Sequence, residues 1–225
     1  MTPRNVVRPA AAGALCFAFS CAGADAASAQ TDTTTPTARA AEKPQIAVRH
    51  RRLNVRAGRR AVVAGRVVPA VAGLAVALQA RSDGRWHAFE RDRTDAAGRY
   101  RLRQRFRSTV SRRVRVRVAD APGIVAGKRR LGRLNVYRVA YASWYGPGLY
   151  GNRTGCGGTL YAGRLGVAHK TLPCGTMVTF KRGHRQVRVP VIDRGPYVGG
   201  REYDLTEATA ARLGFRGHGP ILTTG

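Results

Sequence analysis

From Ile46 to about Arg138 apolar and polar residues alternate with a period of two. The runs Ala61-Val62-Val63-Ala64-Gly65-Arg66-Val67, Leu74-Ala75-Val76-Ala77-Leu78-Gln79, Arg101-Leu102-Arg103-Gln104-Arg105-Phe106 and Arg113-Val114-Arg115-Val116-Arg117-Val118 all carry it. This is the period of a strand with one face buried and one wet. Ser82-Asp83-Gly84 and Ala96-Ala97-Gly98 punctuate the runs as turns. Strands of this length and spacing predict a small antiparallel β-sandwich over residues 45–138, with Trp86, Phe89 and Tyr100 in its core.

From Val139 glycine and aromatic residues become more frequent. Met177-Val178-Thr179-Phe180 and Val187-Arg188-Val189-Pro190-Val191-Ile192 read as strands, joined by a hairpin turn at Arg182-Gly183-His184. Asp204-Leu205-Thr206-Glu207 has the spacing of a capping box, with Asp204 as N-cap. A short helix follows, with Leu205, Ala208, Thr209 and Leu213 on one face and Gly214 as its stop. Pro220-Ile221-Leu222-Thr223-Thr224 is a closing strand. The chain is therefore expected to be all-β, with a small barrel and one short helix over residues 139–225.

Before residue 45 the pattern is different. Arg4 and Arg8 precede an apolar stretch, Ala10 to Ala24, and the small-x-small triplets Ala24-Asp25-Ala26 and Ala27-Ser28-Ala29 follow. These are the parts of a secretory signal peptide over residues 1–29, which implies a secreted, extracellular protein. Ala18-Phe19-Ser20 lacks the leucine expected three positions before a lipid-modified Cys21. Residues 30–44, rich in Thr, Pro and Ala, read as a flexible linker. No run of eighteen apolar residues exists to make a membrane-spanning helix. Of four cysteines, Cys16 and Cys21 leave with the signal. Cys156 and Cys174 then form one disulfide, worth about 3 kcal/mol, or stay as two free thiols.

The chain has 225 residues with 40 Lys and Arg against 12 Asp and Glu, a net charge of +28. At 44% hydrophobic it has the apolar content of a folded protein, which excludes global disorder. Residues 45–138 hold 25 of the cations and 5 of the acids. On alternating strands the arginines at 101, 103, 105 and at 113, 115, 117 each line one face. Such faces suit an anionic partner, or they are solvated surface in a chain that favours arginine. For an exported protein the natural polyanions are anionic cell-wall polymers and lipid headgroups, not nucleic acid. The run GLAVALQARSDGRWHAF followed by AAGRYRLR resembles bacterial immunoglobulin-like modules.

Five ordered blocks after residue 139 carry a sharper resemblance. They are Ala142-Ser143-Trp144-Tyr145-Gly146, Arg153-Thr154, Gly166-Val167-Ala168-His169-Lys170-Thr171-Leu172-Pro173-Cys174-Gly175-Thr176, Asp193-Arg194-Gly195-Pro196-Tyr197 and Tyr203-Asp204-Leu205-Thr206. This segment resembles the RlpA-like (rare lipoprotein A-like) double-psi β-barrel domain, related to lytic transglycosylases and expansins. The resemblance implies a six-stranded barrel with a groove for peptidoglycan glycan strands. It implies catalytic roles for Asp193 as acid/base, for His169 beside it, and for Asp204 as the second aspartate of expansins. Trp144, Tyr145, Arg194 and Tyr197 are assigned to holding the glycan.

Other readings of these residues remain open. Asp193 also suits a cap for its own Arg-Gly-Pro turn, His169 a packing histidine, Trp144 and Tyr145 core positions. His184 and His218 read as surface loop residues. The histidines show no metal-ligand spacing, so no metal and no cofactor are expected. One departure matters: Thr154-Gly155-Cys156-Gly157-Gly158 has Gly158 where the family carries a glutamate needed for cleavage. Two functions follow, a lytic transglycosylase or a non-catalytic, expansin-like wall binder that loosens the glycan. A nucleic-acid binder would explain the charge but not the export signal or the barrel blocks.

Overall fold

A computed structural model describes residues 40–225. The expected signal peptide, with Cys16 and Cys21, and the expected linker up to residue 39 lie outside the described residues. The far end of that linker is held rather than free. Glu42 exchanges backbone hydrogen bonds with Gly123 and Val125 at 2.9 and 3.0 Å, and Pro44 is buried against Gly127.

Every period-two run forms a strand. β1 (Gln45–Arg52), β2 (Asn54–Arg56), β3 (Arg60–Val68), β4 (Ala75–Ser82), β5 (Arg85–Arg93), β6 (Arg99–Arg105), β7 (Val110–Val118) and β8 (Gly127–Tyr145) follow one another. β1, β3 and β6 form one antiparallel sheet. β5, β4, β7 and β8 pair in that order in a second sheet, with β2 parallel to β8. Alternate residues of both sheets, among them Val63, Leu102, Leu78 and Val116, fill one apolar core. The β4–β5 hairpin closes through Asp83 and Gly84, with φ of 49° and 74°. A two-residue turn that matches strand twist needs both to be left-handed.

The edges of the two sheets meet at β5 and β6. Asp92 accepts a hydrogen bond from the backbone N–H of Arg101 at 2.6 Å, and Glu90 one from Arg103 at 3.5 Å. These carboxylates occupy donors that an open edge would offer to another chain. Tyr100 sits in the core as expected. Phe89 is half-buried at its margin, edge-on to Phe106 at 5.7 Å. Trp86 departs from its expected core position: it is half-buried, with the Arg115 guanidinium 4.2 Å over its ring.

No segment separates the two halves of the chain. The expected boundary at residues 138 and 139 falls inside β8. Gly127 to Val136 of that strand pair with β7, Arg138 to Ala142 with β13, and Ala142 to Tyr145 with β12. The later elements are β9 (Val167–His169), β10 (Met177–Arg182), β11 (Arg185–Asp193), β12 (Tyr203–Thr206), α1 (Glu207–Leu213) and β13 (Gly219–Thr223). Their pairing runs from β8 through β13, β10, β11, β9 and β12 and returns to β8. Phe180, Val189, Tyr203, Leu205 and Leu213 fill a second core inside that cycle. Gly183 and His184 close the β10–β11 hairpin.

The helix begins later than its capping box suggested. Thr206 is the N-cap, and its side chain accepts a hydrogen bond from Thr209 N–H. Asp204 lies instead in β12, with Ser143 of β8 as its register partner. The buried face of α1 is Thr209, Ala210 and Leu213 rather than the four residues expected, and Gly214 ends it in the left-handed conformation.

Candidate functional site

Three segments converge on the end of β11. Asp193 is its last residue. Its Oδ1 accepts the N–H of Gly155 at 2.7 Å and that of Arg194 at 2.8 Å, and its Oδ2 accepts the Tyr145 hydroxyl at 3.2 Å. The bond from Arg194 is the turn cap of the plainer sequence reading. The other two come from distant loops and strands. A Cβ at Gly155 would meet Arg194 Cγ at 2.9 Å and Asp193 Oδ1 at 3.1 Å, so only glycine lets this backbone approach the carboxylate.

Asp193, Asp204 and Tyr145 line one open cleft of about 300 Å³, together with Thr154, Tyr197 and Arg201. Asp204 meets a different environment. Its Oδ1 is buried with no hydrogen-bond partner, as is Ser143 Oγ. Burial raises its carboxyl above the ordinary aspartate range, and the charge of Asp193 adds to the rise. The nearby Ser143 hydroxyl and Arg201 act against it. The Tyr145 hydroxyl is also pushed up, first by burial and then by the Asp193 charge. The cleft therefore holds two carboxylates in contrasting surroundings, the pattern that divides acid from base.

Cys156 and Cys174 are bridged, with Cα atoms 5.6 Å apart. Cys156 N–H donates to Ile192 O at 3.2 Å, and Gly175 N–H to Val191 O at 2.8 Å. The bridge thus ties two loops to each other and to the strand end that presents Asp193. Arg194 completes the lashing. Its guanidinium donates to His169 O (3.1 Å), Leu172 O (2.9 Å) and Cys174 Sγ (2.9 Å). Arg194 borders the cleft, yet these donors serve the loops rather than a ligand.

The remaining assigned residues divide. Tyr197 stands 80% exposed at the cleft mouth beside exposed Val198 and Leu149. Trp144 does not line the cleft. It packs on the second core, on the parity of Ala140 and Ala142, whereas Tyr145 faces the other way. His169 is not brought to Asp193 by any hydrogen bond. Strand alternation explains this: Asp193 pairs with Ala168, which lines the cleft, and the next residue points away. His169 Nδ1 instead accepts N–H groups from Thr171 and Leu172 at 3.1 and 3.0 Å. Its ring lies against Tyr203, and its Nε2 is 3.8 Å from Glu202. Burial first, and Arg138 and Arg194 after it, hold its pKa below the usual histidine value against the pull of Glu202. His169 lines a separate hollow with Tyr141, Lys170 and Glu202.

The sequence reading missed Gly155 as a donor, Tyr145 as the hydrogen-bond partner of Asp193, and Ser143 and Arg201 beside Asp204. For Tyr145 the signal was present: period two carried past Arg138 puts Trp144 inward and Tyr145 outward. At Gly158, in the left-handed region at φ +76°, a Cβ would meet the Arg164 guanidinium at 3.3 Å. That guanidinium donates to Thr159 O at 2.6 Å and Gly157 O at 3.2 Å. Among the described residues no three His, Cys, Asp or Glu side chains gather as a metal site.

Residues 138–223 match the family described as "Lytic transglycolase", a double-psi β-barrel family. This part of the chain is similar to RlpA-like double-psi β-barrel domains. The chain is similar to the endolytic peptidoglycan transglycosylase RlpA of Campylobacter jejuni, 47% identical over 74 residues, which are 32% of this chain and 27% of that protein. It is similar to the probable endolytic peptidoglycan transglycosylases RlpA of a Synechocystis species, 45% identical over 80 residues (35% of this chain, 25% of the relative), and of Aquifex aeolicus, 42% over 87 residues (38% of each). The chain thus spans well under half the length of these relatives.

Proposed function

We propose that the protein is a secreted cell-wall protein whose barrel cleaves peptidoglycan glycan strands as a lytic transglycosylase. The observation that carries this is the pairing of Asp193 and Asp204 in one open cleft with contrasting surroundings. Asp204, half-buried with one enclosed and unpartnered oxygen, delivers a proton to the glycosidic oxygen as the C1–O bond breaks. The muramic 6-hydroxyl attacks C1 and gives up its proton to Asp193, leaving a 1,6-anhydro end. Tyr145 and the N–H groups of Gly155 and Arg194 hold Asp193 in place. Tyr197 offers a face for a sugar ring. His169 supports the loop that Arg194 grips and takes no proton from Asp193.

The same reading takes residues 45–138 as an immunoglobulin-like sandwich and residues 139–225 as a six-stranded barrel, with 1–29 as the signal peptide. Two separate apolar cores and the closed cycle of strand pairings support the division. The presence of Gly158 in place of the family glutamate favours a second reading, an expansin-like binder that loosens the wall without cutting it. Digestion of purified sacculi followed by mass spectrometry separates the two. The enzyme yields 1,6-anhydro ends with the unaltered protein and none with Asp193→Asn or Asp204→Asn. Retention on sacculi with no such product from the unaltered protein establishes the binder.

A further inference from the structure

The ladder between β7 and β8 sets cation opposite cation. Arg113 faces Arg133, Arg115 faces Arg130, and Arg117 faces Lys128. Val114, Val116 and Val118 point into the core between them, so the six basic side chains stand on the outer face. Like charges directly opposite across a sheet destabilise it. Of these six cations only Arg117 has an ion pair among the described residues, with Asp120 at 3.8 Å at the far end of the ladder. Arg188 of β11 extends the patch onto the barrel side. Burial first, and then the neighbouring guanidiniums, hold Arg115, Arg133 and Arg188 below the usual arginine value. Arg115 is set in place, over Trp86 and donating to Gln79 Oε1 at 2.7 Å.

From this arrangement we infer that the outer face of β7 and β8 is a track for a linear phosphodiester polymer of the cell wall. Cations recur every second residue along β7, about 6.8 Å apart, and at Lys128, Arg130 and Arg133 across a bulge of β8, in two columns about 4.8 Å apart. A polymer with an anion on every short repeat meets the pairs in turn and removes their mutual repulsion. Arginine forks grip phosphate oxygens in pairs. The arginines of β6 make a poorer track. Asp92 and Glu90 reach the amides of that strand, and Asp95 pairs with Arg99 at 2.7 Å. The choice of a wall polymer rests on the proposed function, whereas the track itself does not.

The test measures binding of the full chain to purified poly(glycerol phosphate) over a range of salt. Arg113→Gln/Arg115→Gln/Arg117→Gln is compared with the equal charge loss Arg101→Gln/Arg103→Gln/Arg105→Gln. The first should weaken binding at least about tenfold and make the slope of log affinity against log salt shallower by about 2. The second should change binding less than about threefold. Equal losses from both triples would mean that net charge alone binds, and would overturn the proposal. Duplex DNA or anionic phospholipid vesicles bound more tightly than the wall polymer at the same salt would overturn the choice of partner. Thermal melting of both triples confirms that each is folded. The 1,6-anhydro ends they release from sacculi report on the barrel separately, so failure of the track and failure of the enzyme reading are distinct results.

Discussion

Asp193 and Asp204 are both aspartates near the end of a strand, and only their neighbours tell them apart. Three donors reach Asp193, while burial leaves Asp204 Oδ1 with none. If Asp204 is the proton donor, cleavage falls as pH rises through its raised pKa. Its contribution to stability runs the same way. The folded protein binds this proton more tightly than the unfolded chain, so the contribution is full below the ordinary aspartate value and is lost as pH rises through the folded value. Asp204→Asn should abolish cleavage yet leave the protein at least as stable at neutral pH, with a melting profile that falls less as pH rises above the ordinary aspartate value. Melting temperatures read against pH, beside anhydro-end yields, check both halves of that expectation. Gly155→Ala adds a Cβ where Asp193 and Arg194 sit and should lower cleavage at least about tenfold with little loss of glycan binding, seen as a change in kcat rather than KM. The sequence placed both aspartates in the groove by resemblance but misread Asp204 as a helix cap. Asp204 and Thr206 are both good N-caps with polar residues following, and nothing local shows that β12 continues to Thr206.

At the level of elements, local signals were read well wherever backbone chemistry is local. Asp83-Gly84, Gly183 and Gly214 fell where left-handed geometry is required. Period two found the strands. It did not show that β8 passes from one core to the other, because the burial of its nineteen residues alternates irregularly. Nor did it place His169, whose side depends on the register between β9 and β11. The Cys156–Cys174 bridge belongs to this scale as well. It holds two loops against the end of β11, with Cys156 N–H on Ile192 O. Cys156→Ser/Cys174→Ser should cost about 3 kcal/mol in the chain-entropy picture. It should also lower cleavage further than the lost stability explains, because Gly155 is released beside Asp193. Denaturant melts at a temperature where both forms are folded, paired with kcat, separate these effects.

Across the whole molecule, two cores share one strand, and the polar contacts between the halves are specific. The Tyr137 hydroxyl donates to Gln186 Oε1 at 2.8 Å, and Ser111 lies 3.5 Å from Thr179, hydroxyl to hydroxyl. The halves should therefore unfold together. The chain has two tryptophans, Trp86 in the first half and Trp144 in the second, so Trp86→Phe and Trp144→Phe give one reporter each. Coincident fluorescence melting curves are the expected result, and two transitions several degrees apart would show independent halves.

β8 begins among the paired cations and ends at Tyr145, whose hydroxyl rests on Asp193. One strand therefore connects the proposed polymer track to the hydroxyl that rests on Asp193. On the proposed function, a pull on a polymer held at one end of this strand would reach the cleft at its other end.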